Sequence, residues 1–355
     1  MNEGGTKMKT GKEYRATGPA KITLKFLASH LGLSQGTVSA VLNKSAAARS
    51  IPLHTQNRIL QAAREFNYRP NFAARSLRVR RTFTIGVIAE EIGDAYGAKV
   101  ISGIETFLRE RNFFFLTVAH RHDPHLLRSY SQLLLARGVE GLITIDTSID
   151  RQPVLPTVAV AGHREVPNVT NVVLDHLSAA RLVLGHLRDL GHRQIAFLRG
   201  PESSSDSGPR WKAIQEVSAE LGLSIHPELV VQLEDVPDLC GVGYQPAEKL
   251  LAASVPFTAL CAYNDISAVC AMSVFRKAGR SVPHDVSVVG FDDVSWASFS
   301  TPPLTTVRQP LFEMGTVAAK TLLDHIEDHT PFVTDIALTP ELIIRESTGP
   351  RPQPQ

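Results

Sequence analysis

Residues 23–43 read TLKFLASHLGLSQGTVSAVLN and carry the pattern of two short helices joined by a tight turn. Thr23 and Ser34 are residue types that cap helix N-termini, and Gly32 is the type that ends a helix. Apolar residues recur at helical spacing in the first helix, namely Leu24, Leu27, Ala28 and Leu31. The stretch therefore predicts a helix-turn-helix whose second helix runs over 35–42.

A third helix is predicted over 53–66. Its spacing places four apolar residues on the buried face: Ile59, Leu60, Ala63 and Phe66. The loop 44–50 precedes this helix, and Pro52, directly before it, has no side chain that can cap a helix. The position of this third helix is thus the least determined part of the predicted headpiece.

The charge of the chain is strongly segregated. Residues 1–82 contain fifteen Lys and Arg against three acidic residues, a net charge of +12, whereas the remainder has a net charge of −10. The overall value of +2 conceals this division. A basic, helical end on an acidic body predicts a polyanionic partner for that end.

From residue 83 onward the pattern becomes an alternation of strands and helices. Strand-like apolar runs occur at 84–89, 113–119, 141–145, 157–161, 169–174, 194–198, 229–233, 258–262 and 286–291. Helical patterns lie between most of them, at 98–111, 124–137, 178–190, 209–222, 242–253, 265–279 and 311–327. This alternation predicts parallel sheets covered by helices, and the number of strands favours two sheets with a cleft between them.

The composition restricts the class of protein. No run approaches the roughly 20 apolar residues that a membrane span needs, and the first 20 residues lack the apolar segment of a secretory signal. The three cysteines form no C-x-x-C pair. We therefore expect a cytoplasmic protein with reduced thiols and no membrane association.

Several motifs in register closely resemble the lactose-repressor/galactose-repressor (LacI/GalR) family of transcriptional regulators. The resemblance covers about 21–348 and is carried by 23–43, by Tyr-Arg-Pro-Asn-Phe-Ala-Ala-Arg-Ser-Leu at 68–77, by Thr-Ile-Gly-Val-Ile at 84–88, by Leu-Gly-His-Arg-Gln-Ile-Ala at 190–196, by Ala-Tyr-Asn-Asp at 262–265, and by 282–293 and 303–310. It implies an all-α helix-turn-helix headpiece and an α/β core of the periplasmic-binding-protein-like (type I) fold with two doubly wound subdomains. It also implies a homodimer that binds operator DNA and a small-molecule effector.

With the family as a guide, we divide the chain into a flexible basic arm (1–20), a helix-turn-helix domain (21–68), a hinge helix (69–82), an effector-binding core (83–348) and a disordered tail (349–355). Within the core, the N-subdomain is expected at about 83–174 and 311–339, and the C-subdomain at about 175–310 and 340–348. The Pro-rich tail contains no heptad repeat that could form a tetramer, so a dimer is expected.

In the headpiece, the second helix is expected to enter the major groove of DNA with its first turns. The candidate positions are Gln35, Gly36, Thr37, Ser39, Ala40 and Asn43. Gln35 can bond an adenine edge, and the hydroxyls can bond phosphates or bases. Gly36 and Ala40 depart from the family, in which larger side chains are usual and Arg is common at the second position. We therefore expect an operator that differs from the usual family half-site there.

In the hinge, the resemblance implies a helix that folds when two copies meet in the minor groove. The matching positions are Asn71, Ala74, Arg75, Leu77 and Arg78. Leu77 is expected to wedge into the central base step, and the arginines to neutralise phosphates. A segment this short does not form a stable helix alone in water.

For the effector, the resemblance points to residues that follow strand ends, where open α/β sheets bind ligands. The candidates are Asp94, Tyr96, Arg210, Asn264, Asp292 and Gln309. Carboxylates, amides and a guanidinium are suited to a hydroxylated, sugar-like ligand. Helix capping is the alternative role for Asn264, a salt bridge for Arg210, and His163 is a further residue that could line the cleft.

Two other classes of protein agree less well with the sequence. An enzyme is not expected, because the sequence contains no P-loop, no G-x-S-x-G and no H-E-x-x-H; no catalytic residue, cofactor or metal ligand is assigned. A periplasmic-type solute-binding protein would share the core, but it would need export and has no use for a basic headpiece. Repression is expected, while activation and the sign of the effector's action stay open.

Overall fold

The structure is a computed structural model that describes residues 22–43, 45–68, 76, 80–234 and 241–352. It separates into two compact units, residues 1–81 and 82–355. The predicted arm and the five assigned hinge residues, Asn71, Ala74, Arg75, Leu77 and Arg78, lie outside the described residues.

Over residues 22–68, the first unit contains three α-helices: α1 (Leu24–Leu31), α2 (Gln35–Leu42) and α3 (Leu53–Glu65). Thr23 Oγ1 accepts a hydrogen bond from the amide of Phe26, and Ser34 Oγ accepts one from the amide of Thr37. Gly32 ends α1 with a φ of 65°, a conformation that favours glycine. The caps therefore act as the sequence indicates.

A small apolar core joins the three helices. Its buried members are Leu27, Ala28, Val38, Val41, Ala48, Ile59, Ala62 and Ala63. The expectation that Leu60 is buried was wrong: Leu60 is 38% exposed, and Ala62 takes the inward position. At about 100° per residue, Leu60 lies well to the side of the row formed by Ile59, Ala62 and Ala63.

A short 3-10 turn, Ala46–Ser50, fills the long loop before α3. The side chain of Gln56 holds this loop, since its Nε2 donates to the carbonyls of Ala48 (3.0 Å) and Ile51 (2.8 Å). Pro52 precedes α3 without a side-chain cap. Gln56 thus links the loop to α3 through its side chain, in the absence of a side-chain cap at Pro52.

The second unit contains two six-stranded sheets. The strands are β1 (Thr84–Ala89), β2 (Phe114–Ala119), β3 (Gly141–Ile145), β4 (Thr157–Val160), β5 (Val169–Leu174), β6 (Ile195–Arg199), β7 (Val230–Gln232), β8 (Ala259–Cys261), β9 (Ser287–Asp292), β10 (Thr305–Arg308), β11 (Asp335–Leu338) and β12 (Glu341–Ile343). The first sheet has the order β11-β5-β4-β3-β1-β2, and the second has the order β12-β10-β9-β8-β6-β7. All the pairings are parallel except β10 with β12.

Helices cover these sheets. They are α4 (Ala95–Glu110), α5 (Pro124–Ala136), α6 (His176–Asp189), α7 (Ser207–Glu220), α8 (Gly241–Leu251), α9 (Asp265–Lys277), α10 (Ser295–Phe299) and α11 (Leu311–Glu327). The sequence patterns indicated all of these except α10, and all strands except β10–β12. We call the first sheet with α4, α5 and α11 the N-subdomain and the second sheet with its helices the C-subdomain. The chain passes between them after β5, after β10 and after β11.

The last residues differ from expectation. The amide of Gly349 donates to Ser287 Oγ (3.0 Å), and the amide of Arg351 donates to the carbonyl of Leu190 (2.9 Å). The expected disorder of 349–355 was therefore wrong for its first residues, because these backbone groups find partners on the C-subdomain.

Two glycines allow α4 and α11 to pack with their backbones in close contact. A Cβ atom on Gly103 would lie 2.0 Å from the carbonyl oxygen of Phe312, and one on Gly315 would lie 2.0 Å from that of Val100. No side-chain movement can relieve a clash with backbone. The spacing of these helices, which carry much of the N-subdomain core, therefore depends on both glycines.

We predict that Gly103→Ala and Gly315→Ala each destabilise the core by about 1–3 kcal/mol or more through overpacking. Gly185→Ala is the matched control, because Gly185 lies within α6 and a Cβ there meets nothing within 4 Å. This control should be neutral or stabilising by up to about 1 kcal/mol, the helix-propensity gain. Chemical denaturation measures all three variants, and equal effects at the three positions would contradict the packing account.

Candidate functional site

The N-terminal turns of α2 form an exposed surface on the headpiece. Gln35 and Gly36 are exposed, and Thr37 and Ala40 are half-buried. A Cβ on Gly36 would touch only Ser34 Oγ, at 3.6 Å, so this part of the helix faces open space. A helix with a bare, polar first turn can approach another macromolecule closely.

Ser39 and Asn43 are less available on that surface than Gln35 and Gly36. Ser39 is only 6% exposed, and Asn43 Nδ2 donates to its carbonyl (2.8 Å) and to its Oγ (3.1 Å). The predicted direct contact by Ser39 is therefore not supported by the geometry, because its hydroxyl is occupied within the helix end.

In the core, the carboxyl ends of both sheets face one another across a cleft. The loops after β1, β3 and β4 contribute from the N-subdomain, and those after β6, β8, β9 and β10 contribute from the C-subdomain. A cavity of about 370 Å³ lies at this junction. Its lining includes Thr147, Gly162, His163, Ser204, Ser205 and Pro209.

Arg210, one of the predicted effector residues, is only 5% exposed and lines a separate small cavity of about 20 Å³. Its Nη1 donates to the carbonyl of Tyr263 (2.7 Å), and its Nη2 donates to Asp206 Oδ2 (2.9 Å). The guanidinium carbon lies 3.8 Å from the ring centroid of Phe291 and 4.5 Å from that of Tyr263. The guanidinium is thus held in one orientation by two hydrogen bonds and two aromatic faces.

Asp292 and Gln309 form a second buried pair beside Arg210. Gln309 Nε2 donates to Asp292 Oδ1 at 2.7 Å. Asp292 has a φ of 107°, which turns its side chain at the end of β9. Burial raises the pKa of Asp292 well above its usual range, although the nearby Arg210 opposes this. A carboxyl with a raised pKa can act as donor or acceptor toward a ligand.

Several buried polar atoms of the described residues have no hydrogen-bond partner, and they include Tyr96 Oη, Arg210 Nε and Gln309 Oε1 in this region. Tyr96 belongs to the same cluster, since the charges of Asp206, Asp292 and Arg210 act on its hydroxyl. Burial raises the pKa of Tyr96 well above its usual range, so the hydroxyl is a neutral donor. These three unpaired polar atoms are therefore available to a ligand that enters this region.

Two predicted effector residues have structural duties. Asp94 caps α4 by accepting from the amide of Gly97 (3.0 Å), and Asn264 caps α9 by accepting from the amide of Ser267 (2.9 Å). Asn264 is part of a capping box with Ser267. Both residues lie at strand-to-helix junctions of the cleft, and their capping oxygens are already occupied.

Asp265 anchors the floor of the cleft. It is fully buried and accepts from the amide of Val294 (2.8 Å) and the hydroxyl of Thr306. Burial raises its pKa to about 7. The residue ties the start of α9 to β10 and to the loop that follows Asp292.

Sequence reasoning missed a set of contacts that join the subdomains. Asp146, at the end of β3, accepts from the amide (2.9 Å) and hydroxyl (2.6 Å) of Ser205 and from Ser204 Oγ (3.0 Å). Lys99 Nζ donates to the carbonyl of Asp293 at 3.0 Å. The position of Asp146 directly after a buried strand was a usable signal, but its partners are distant in sequence.

We predict that Arg210→Met destabilises the core by about 3–5 kcal/mol, because it leaves the buried Asp206 without its cationic partner. The matched control is Arg181→Met, which removes an exposed ion pair with Glu220. Exposed pairs contribute little, so this control should unfold like the wild type. Denaturant titration of both variants checks the difference, and an equally mild effect of Arg210→Met would contradict a buried guanidinium that is ion-paired with Asp206.

Comparisons with known proteins agree with this architecture. The family profile of the periplasmic binding protein-like domain matches residues 184–348. The HTH-type transcriptional repressor PurR of Haemophilus influenzae is 31% identical over 335 residues, covering 92% of this chain and 98% of the relative. PurR of Photobacterium profundum is 30% identical with the same coverage.

Solved structures extend the likeness to the fold. The lac repressor dimer bound to operator and the anti-inducer ONPF superposes with a TM-score of 0.83 at 26% identity, over 92% of this chain and 99% of that one. The transcriptional regulator CelR in complex with cellobiose has a TM-score of 0.68 at 28% identity, with the same coverage. Among the described residues, no helix has both the length and the apolar character to cross a membrane.

The matches include the N-terminal helices as well as the core, so a solute-binding protein without a headpiece is not favoured. A basic helix-turn-helix unit, two parallel sheets with a polar cleft, and relatives matched over nearly their whole length all agree. The chain belongs to the lactose-repressor/galactose-repressor family of DNA-binding transcriptional regulators.

Proposed function

We propose that this protein is a repressor that binds operator DNA as a homodimer and changes its operator affinity when a sugar-like effector occupies the core cleft. The observation that carries the proposal is the buried polar cluster around Arg210, present in the same chain as an N-terminal region, residues 1–82, with a net charge of +12. The relatives are named as repressors, and we assign no catalytic role to any residue. Because operator DNA is the proposed partner, we infer a cytoplasmic location.

For the DNA contact, we infer that α2 enters the major groove with Gln35 and Thr37 leading. At Gly36 only the backbone, and at Ala40 only a methyl group, would face the DNA. Longer side chains at these two positions would reach the bases. Asn43 is assigned to positioning, because it ties the end of α2 through Ser39. The hinge residues at 71–78 are proposed to occupy the minor groove, with Leu77 as the wedge and the arginines on phosphates.

For the effector, we infer direct contacts from Arg210, Asp292, Gln309 and Tyr96. The orphaned atoms of Tyr96, Arg210 and Gln309 supply two donors and one acceptor within a cluster flanked by aromatic rings. This combination suits the hydroxyls and apolar faces of a sugar ring. The family neighbour CelR holds cellobiose, which agrees with this ligand class. Asp94 and Asn264 are assigned to the rim of the cleft.

For the coupling, we propose that the two subdomains close on the effector by rotating about the three chain crossings. The proposed N-subdomain comprises 83–174 and 311–339, and the proposed C-subdomain comprises 175–310 and 340–348. The motion of the N-subdomain changes the spacing of the two hinges in the dimer. An effector that binds one arrangement better than the other then shifts operator affinity.

The first test concerns DNA. Duplexes selected from a random pool by the full chain should share a palindromic half-site, and their affinity should fall about a thousandfold or more between about 50 and 200 mM salt, as expected for many phosphate contacts. Gln35→Ala should weaken binding, whereas Gln61→Ala, an exposed residue of α3, should not.

A second variant tests the altered specificity. Ala40→Arg should create a preference for guanine at one half-site position worth about 1–3 kcal/mol, because arginine can bond guanine in a bidentate manner. Selection experiments with the variant and the wild type measure the change. Identical selected sites, or binding that is insensitive to salt, would contradict the proposed placement of α2.

A further inference from the structure

Three side chains that commonly bind metal ions meet at the edge of the cleft. His163 follows β4 in the N-subdomain, His176 is the first residue of α6, and Asp206 directly precedes α7. The Nε2 atoms of His163 and His176 lie 2.6 Å and 3.2 Å from the same oxygen, Asp206 Oδ1. The three donor atoms all lie within 4.8 Å of one another.

Asp206 is committed to this cluster rather than to its helix. It occupies the N-cap position of α7 yet makes no side-chain capping bond, because its oxygens face the two imidazoles and Arg210. Its side chain is 5% exposed, that of His176 7% and that of His163 17%. The Asp206 carboxylate thus faces two imidazoles in a nearly buried site and does not cap α7. Its position therefore does not serve to stabilise the helix.

We propose that His163, His176 and Asp206 bind one divalent transition-metal ion of the zinc type. Two imidazole nitrogens and one carboxylate oxygen are a donor set that zinc accepts, whereas calcium and magnesium take oxygen ligands. Tetrahedral coordination at about 2.0–2.2 Å separates ligand atoms by about 3.3–3.5 Å. The 3.2 Å contact of His176 already fits, and His163 has to retreat from Asp206 by less than about 1 Å. The fourth position of a tetrahedral ion is then left for water or an effector oxygen.

The positive charge of Arg210 is the main electrostatic effect that disfavours a cation at this site. Its Nη2 lies 2.9 Å from Asp206 Oδ2, the oxygen that the histidines do not face. Asp146, whose carboxylate accepts from Ser204 and Ser205 in the loop that also holds Asp206, places a second negative charge near the site. The ion would therefore bind Asp206 Oδ1, while Arg210 stays hydrogen-bonded to Asp206 Oδ2.

The placement of the ligands gives the site a regulatory meaning. His163 belongs to the N-subdomain, and His176 and Asp206 belong to the C-subdomain. A bound ion would thus join the two halves of the core beside the residue that contacts the proposed effector. No sequence pattern indicates the site, because the ligands are far apart along the chain and no metal-binding spacing links them.

The test uses the full chain after dialysis against EDTA, titrated with zinc chloride by calorimetry and with cobalt(II) chloride by visible absorption. We expect one ion per chain and a cobalt spectrum typical of tetrahedral coordination. His163→Gln and His176→Gln should each weaken zinc binding at least about tenfold. Removing a residue that only supports a metal ligand already lowers metal affinity by about tenfold or more, so removing the ligand itself should cost at least as much. His284→Ala, which removes an exposed histidine, should leave the affinity unchanged.

Folding is controlled separately. The side-chain amide that His163→Gln introduces can still donate to Asp206, so this variant should unfold at the wild-type temperature in EDTA and lose only the stabilisation that zinc adds to the wild type. Absence of saturable zinc and cobalt binding, or equal affinity in His163→Gln and the wild type, would overturn the proposal and leave a hydrogen-bonded cluster in its place. Because these titrations contain no DNA, their failure leaves the operator proposal untouched.

Discussion

The buried guanidinium of Arg210 is the constraint around which the C-subdomain side of the cleft is built. A cation with 5% exposure must be paired, and the pairing draws in Asp206 from the loop after β6 and the carbonyl of Tyr263 from the end of β8. Phe291, near the end of β9, covers one face of the guanidinium. Three segments that are distant in sequence are thereby fixed relative to one another, and the site is organised before a ligand arrives.

Contacts across the cleft extend this arrangement to the N-subdomain. Asp146 binds the loop that contains Ser204 and Ser205, and His163 reaches Asp206, the partner of Arg210. The two subdomains are joined covalently only at three short crossings, so these polar contacts help to fix their relative arrangement. A ligand or ion that adds to them or displaces them can therefore shift the relation between the subdomains at modest energetic cost.

The sequence predicted most of the local structure because the deciding signals are short-range. Thr23, Gly32 and Ser34 set the ends of α1 and α2, and the alternation of apolar runs located the central strands of both sheets. The failures have a common cause in contacts between distant residues. The inward face of α3 at Leu60 and the grouping of Asp146, His176 and Asp206 depend on partners that periodicity does not reveal. The family resemblance supplied Arg210, Asp292 and Gln309, whereas the structure explained why these residues are held together.

The coupling between cleft and operator is tested most directly by linkage. The sugar that most raises the unfolding temperature, chosen from cellobiose, lactose, D-galactose and glucose 6-phosphate, is titrated against the selected operator duplex by fluorescence anisotropy. We predict that saturating sugar changes the operator Kd by about 5- to 150-fold in either direction, and that operator changes the sugar Kd by the same factor. In Arg210→Lys, which loses the planar fork, both effects should disappear. A sugar that binds the wild-type core at this site while leaving operator affinity unchanged would contradict the account.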